Sequence, residues 1–170
     1  MVVVAAVGLA LGAAGCGGTR TVTKTVTVSA GVKTGPGAPL EIAQFGYISS
    51  LRRKGARFEL RVDPAWLLSG VTAERAKLED TGSSDVPNDY YVVNEGHRLL
   101  TYIVPPTAQV TIVGNGGNGI HATPITVAQL AQLVAGQHPL HQPLFEPLTT
   151  GFWLRVRGDT VRSLDQQYVP

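Results

Sequence analysis

The sequence is poor in charge and in aromatic rings. Charged residues fill 15% of its 170 positions and aromatics 6%. There is one cysteine, so an internal disulfide is excluded. The formal net charge of +2 is too small to draw nucleic acid through its phosphates. The most apolar stretch, Val2 to Ala14, has about 13 residues, short of the roughly 20 that a membrane-spanning helix needs. Disorder is excluded too, because 44% of the residues are hydrophobic and low charge cannot keep such a chain open. What is plentiful is glycine, 20, and proline, 11, which predict many turns and a β-rich or α+β fold. Less an N-terminal segment, the chain makes one domain. A domain of that size buries about two-thirds of its unfolded surface and needs no disulfide or metal to fold.

Val2 to Ala14 contains only Val, Ala, Leu and Gly, the composition and length of a signal-peptide apolar region. It runs into Leu11-Gly12-Ala13-Ala14-Gly15-Cys16. This end resembles the bacterial lipobox, in which small residues precede an invariant cysteine. The resemblance implies that residues 1–15 are removed as a signal peptide. It implies that the Cys16 thiol is diacylglycerated and that Cys16 becomes the N-terminus. The protein then sits on the extracytoplasmic face of the cell membrane, with the membrane as a partner through its lipid; two or more acyl chains anchor stably where one is marginal. Ala13 stands where a lipobox usually has Leu, and no basic segment precedes Val2, which places the expected start upstream.

Residues 16–39 read as the lipidated cysteine and a flexible tether. Gly17 to Pro39 has no aromatic, Leu or Ile, so it cannot build a core. Thr alternates with Val and Lys from Thr19 to Val28, which also suits an edge strand. The Gly and Pro punctuation that follows favours the tether. As a coil of about 24 residues it spans roughly 25–30 Å.

Residues 40–170 read as a single β-rich domain. Phe45 to Leu51 is a predicted strand. Arg52-Arg53-Lys54-Gly55-Ala56 is a turn, and Phe58, Leu60 and Val62 alternate with polar residues in a half-buried strand. Asp63-Pro64 predicts a helical turn through Trp66, Leu67 and Leu68. Thr72 is placed to cap a second helix from Ala73 to about Asp80, closed by Gly82. Strands follow at Tyr90–Asn94, Leu99–Val104 and Gln109–Val113, the first two joined as a hairpin by Glu95-Gly96-His97. Thr126 and Gln129 form a capping box for a helix from Val127 to Ala135, whose apolar face is Val127, Leu130, Ala131 and Val134. Phe152, Leu154 and Val156 alternate with Trp153, Arg155 and Arg157 in a final hairpin that turns at Gly158-Asp159. The expected fold is mainly β (α+β): about seven strands and two short helices in a small antiparallel, OB-like barrel or curled sheet. A single open sheet is the alternative.

Motifs that bear chemistry are sparse. Gly114 to Gly119 fits G-x-G-x-x-G, yet the next helix opens only after Pro124 and no acidic residue follows at the ribose position. It reads as a flexible loop, and no cofactor is expected. His121, His138 and His141 could offer imidazole to zinc, but Pro139 prevents a helix from aligning the last two, and no metal is assigned. Asp85, Asn88 and Asp89, with Tyr90 and Tyr91, form a candidate ligand or calcium loop, since calcium prefers such oxygens; turn formation explains the same residues. Arg52, Arg53, Lys54 and Arg57 surround a hairpin tip and form a candidate contact for an anionic surface. No nucleophile motif of the G-x-S-x-G kind is present.

Val86 to Glu95, RLLTYIVP, ITVAQLAQLV and GFWLRVRGDTVRSLDQQYVP are similar to small exported bacterial proteins with no assigned activity. The similarity implies one integral domain after Phe45 and transfers no catalytic residue. The sequence therefore leads to a membrane-anchored lipoprotein with a non-enzymatic binding or accessory domain. Its expected partner is an unknown envelope protein or small ligand. A small envelope hydrolase using Asp85, Asp89 and a histidine, and an envelope assembly partner, are the alternatives.

Overall fold

A computed structural model describes residues 40–96, 98–116 and 119–169. The expected signal segment 1–15, Cys16 and the expected tether to residue 39 lie outside the described residues, as do His97 and the Gly117-Asn118 pair. The domain is mostly β. Its strands are β1 (Glu41–Lys54), β2 (Arg57–Ser69), β3 (Tyr90–Val93), β4 (Leu100–Val104), β5 (Gln109–Gly116), β6 (Gly119–Ile125), β7 (Phe152–Arg157) and β8 (Thr160–Gln166). Helix α1 (Gly70–Thr81) follows β2, and α2 (Val127–Val134) follows β6.

Five of these strands close into a barrel of the OB-like kind. β1 pairs with β2 and β7, β7 with β8, β2 with β4, and β4 meets β8 in parallel. The closing contact is Ile103 opposite Thr160, reinforced where the Ile103 amide donates to the Asp159 carbonyl at 2.9 Å. Stepping from Glu41 across the registered pairs Arg157, Thr160, Ile103 and Glu59 returns to β1 at Arg52. That displacement along β1 is the stagger that a closed barrel requires. β1 is long enough to supply it, with a bulge between Ile48 and Ser50 that bends the strand.

Alternation decides what lies inside. Leu60, Val62, Val104, Leu154, Val156, Val161 and Leu164 point inward and are fully buried. Helix α2 adds Val127 and Leu130 to the same core. Its capping box forms as the sequence predicts: the Gln129 amide donates to Thr126 Oγ1 at 3.2 Å, and the Thr126 amide donates to Gln129 Oε1 at 2.9 Å. Buried Gln166 ties β8 to its surroundings. Its Oε1 accepts from the Val113 amide at 3.0 Å, and its Nε2 donates to the carbonyls of Glu146 and Pro147.

Several local expectations are corrected. Trp66 to Leu68 is not a helical turn but the far half of β2, which runs straight through Pro64. β4 covers β2 up to Val62, and β3 covers it from Trp66. Pro64 lies in the gap between these two partners, where its missing N–H interrupts neither ladder. For the same reason β3 and β4 do not form the predicted hairpin: each pairs with a different half of β2. Helix α1 starts at Gly70 rather than after Thr72, and no side chain caps it. The glycine motif is not a loop throughout: its residues 114–116 end β5 and Gly119 begins β6, which pairs with β5 antiparallel and brings the described strands to eight. β6 lies at the outer end of the sheet and is largely exposed, so it lacks the apolar alternation that announces a strand.

Candidate functional site

The barrel interior is packed, so the site is built on its outside. Along β7, Phe152, Leu154 and Val156 are buried, and Trp153, Arg155 and Arg157 point outward. Registered partners in a pleated sheet share a face. Arg155 stands opposite Ala43 and Ser163, and Ser163 opposite Gln109. Trp153 stands opposite Phe45 and Asp165. The outer faces of β1, β7, β8 and β5 thereby form one surface.

A groove of about 590 Å³ crosses that surface, lined by Glu41, Thr107, Gln109, Arg155, Arg162, Ser163 and Asp165. Arg162 reaches it through a bulge. The register passes from Arg155 opposite Ser163 to Val156 opposite Val161, leaving Arg162 as an extra residue. Such a residue is re-aimed relative to strict alternation. The Arg155 guanidinium lies 3.9 Å from the Glu41 carboxylate, and Ser163 Oγ donates to Asp165 Oδ2 at 3.1 Å. The lining thus offers donors and acceptors side by side, with two cations and two carboxylates among them. This arrangement can hydrogen-bond a polar ligand at several points.

An aromatic cluster adjoins the groove. The Trp153 ring lies 5.3 Å from the Phe45 ring, and Phe45 meets Tyr47 edge-on at 5.7 Å. Trp153 Nε1 donates to Gln167 Oε1 at 2.8 Å, which fixes the indole. Tyr47 is registered opposite Asp63. Asp63 Oδ2 accepts from Asn94 Nδ2 at 3.0 Å, whereas its buried Oδ1 has no partner among the described residues. The Tyr47 phenol is held above its ordinary pKa, first by burial and then by the nearby Tyr90 and Asp63.

The predicted site residues fall elsewhere. Arg52, Arg53, Lys54 and Arg57 do come together at the β1–β2 tip, all exposed. Two of them are engaged there: Lys54 pairs with Glu59 at 2.6 Å, and Arg53 donates to the Gly55 carbonyl while lying 6.0 Å over the Phe58 ring. In the Asp85–Tyr91 loop, Asn88 and Asp89 both adopt positive φ, 63° and 56°. Such geometry suits Asn and Asp in turns. The Asp85 carbonyl accepts from Lys77, and Tyr91 donates to Asp80 at 3.3 Å. Burial and Asp80 raise the Tyr91 phenol. Among the described residues, no group of three His, Cys, Asp or Glu is placed to hold a metal. His121 lies on β6 and bonds within its own hairpin, to the Gly119 carbonyl at 3.0 Å. No hydrogen bond or ion pair joins Asp85 or Asp89 to a described histidine.

The groove is not legible in the sequence. Its residues run from position 41 to 165 and meet only because the barrel closes. The alternation in β7 was the one visible signal, since it marks Arg155 as outward. No family model, curated protein or solved structure matches the chain.

Proposed function

We propose that the chain is an extracytoplasmic lipoprotein, anchored through Cys16, whose barrel is a non-enzymatic ligand-binding domain. The observation that carries the binding role is the open polar groove over β1, β7, β8 and β5. A packed core leaves the exterior as the surface a ligand can meet. On that exterior, charged and hydrogen-bonding side chains from four strands converge on one concave face. A rigid closed sheet holds them in place, as a binding site requires. The lipid anchor rests on the lipobox at Leu11–Cys16 and on the absence of any other cysteine. The tether from residue 17 to 39 would give the domain reach to a partner in the envelope.

Cell fractionation tests the anchor. The wild-type chain is expected in the membrane fraction, with mass spectrometry showing an acylated N-terminal Cys16. Cys16→Ser is expected to leave the membrane. An unmodified thiol, or a variant that stays with the membrane, would contradict the anchor. The binding role is tested by affinity capture from envelope extract, with the unlipidated matrix as control. Failure to enrich any component over that control would contradict it.

A further inference from the structure

We propose that the groove over β1, β7, β8 and β5 binds a neutral, polyhydroxylated ligand, a glycan chain of the envelope. This rests on the binding role proposed above and names its ligand class. The argument begins with charge. The groove carries Arg155 and Arg162 against Glu41 and Asp165, so its formal charge cancels. A site for phosphate or a polyanion would gather cations without carboxylates among them. A site for a cationic peptide would do the reverse.

The second argument is the kind of contact on offer. Arginine is donor only and carboxylate acceptor only, whereas Gln109, Thr107 and Ser163 provide both. Sugar hydroxyls also donate and accept. Adjacent hydroxyls on a ring match the short spacing between alternating donors and acceptors on a pleated sheet, where opposite residues lie about 5 Å apart. The third argument is shape. The groove is an open trough on a sheet face rather than a closed cavity, which suits a chain that passes across it. Trp153 stands registered against Asp165 at its border. A half-buried indole there is placed to take the C–H face of a sugar ring.

Glu41 and Arg155 are 3.9 Å apart and both exposed. Pairs of this kind contribute little to stability in water. They are therefore free to exchange their mutual contact for contacts to a ligand. The bulge at Arg162 has the same reading, because it lets the consecutive residues Arg162 and Ser163 both line the groove.

The test is a set of immobilised neutral oligosaccharides, with α- and β-linked hexoses and N-acetylhexosamines, probed with the full chain in detergent. Heparin and a polylysine surface serve as charged controls. We expect binding to at least one neutral oligosaccharide. Its affinity should change less than about twofold between roughly 0.05 M and 0.5 M salt, since no counterions are released. Arg155→Ala and Gln109→Ala should each weaken it by about tenfold. Both side chains are exposed, so the melting temperature should stay unchanged, which separates lost binding from lost fold. Binding to none of the neutral glycans overturns the proposal, as does binding to heparin alone or an affinity that neither variant alters. If envelope capture still enriches a protein or an anionic polymer, only the ligand class fails. If capture enriches nothing, the binding role fails with it.

Discussion

Gly151 shows how single residues hold this surface in shape. It adopts φ of +90°, and a Cβ built there would lie 2.5 Å from Phe45 Cζ. Both its backbone and the ring beneath it therefore demand glycine. Gly151→Ala is expected to destabilise the domain by about 3 kcal/mol, measured by chemical denaturation. Gly158 is the internal comparison. It also has positive φ, but nothing lies within 4 Å of a Cβ there, so Gly158→Ala should cost only about 1–2 kcal/mol. Equal losses at the two sites would show that the Phe45 contact is unimportant. Tyr47 and Tyr102 give a second residue-level prediction. Burial raises both phenols above their usual range, and Tyr90 and Asp63 add to the shift at Tyr47. The folded state then holds its phenol protons more tightly than the unfolded chain. Their contribution to stability is complete below about pH 10 and is lost as pH rises through the native values. A melting-temperature series into alkali should fall steeply for the wild type and less so for Tyr102→Phe. A parallel fall in both would remove Tyr102 from the account.

At the scale of elements, the features legible in the sequence are the local ones. The capping box at Thr126 and Gln129 and the alternation of β7 each lie within a few residues, and both appear in the structure. Thr126→Ala should lower stability by about 1 kcal/mol, by removing the acceptor of the Gln129 amide. Thermal unfolding measures this, and an unchanged midpoint would mean that packing of Val127 and Leu130 alone holds the helix. The features that escaped are those decided by distant partners. Pro64 reads as a helix start because Asp precedes it, yet β2 continues through it since its partner changes there. β3 and β4 look like a hairpin from their spacing, but each finds a better neighbour in β2. β6 has no apolar stripe to reveal it, because its faces are exposed. The groove is the extreme case. Glu41 and Asp165 stand at opposite ends of the domain's sequence, and no short-range pattern could place them together.

At the scale of the whole molecule, barrel closure connects fold and function. A small OB-like barrel turns its apolar residues inward and leaves a rigid exterior. On that exterior two kinds of surface stand apart. At the basic tip of β1 and β2, Lys54 and Arg53 are already engaged. The groove is concave and joins four strands, and Glu41 on its rim comes just after the proposed tether ends. The most direct measurement of this account is amide NMR of the full chain titrated with envelope extract. Shifts concentrated at Glu41, Gln109, Arg155, Ser163 and Asp165, and abolished in Arg155→Ala, are the predicted result. Shifts confined to the Arg52–Arg57 tip or to the Asp85–Tyr91 loop, or no shifts at all, would contradict it.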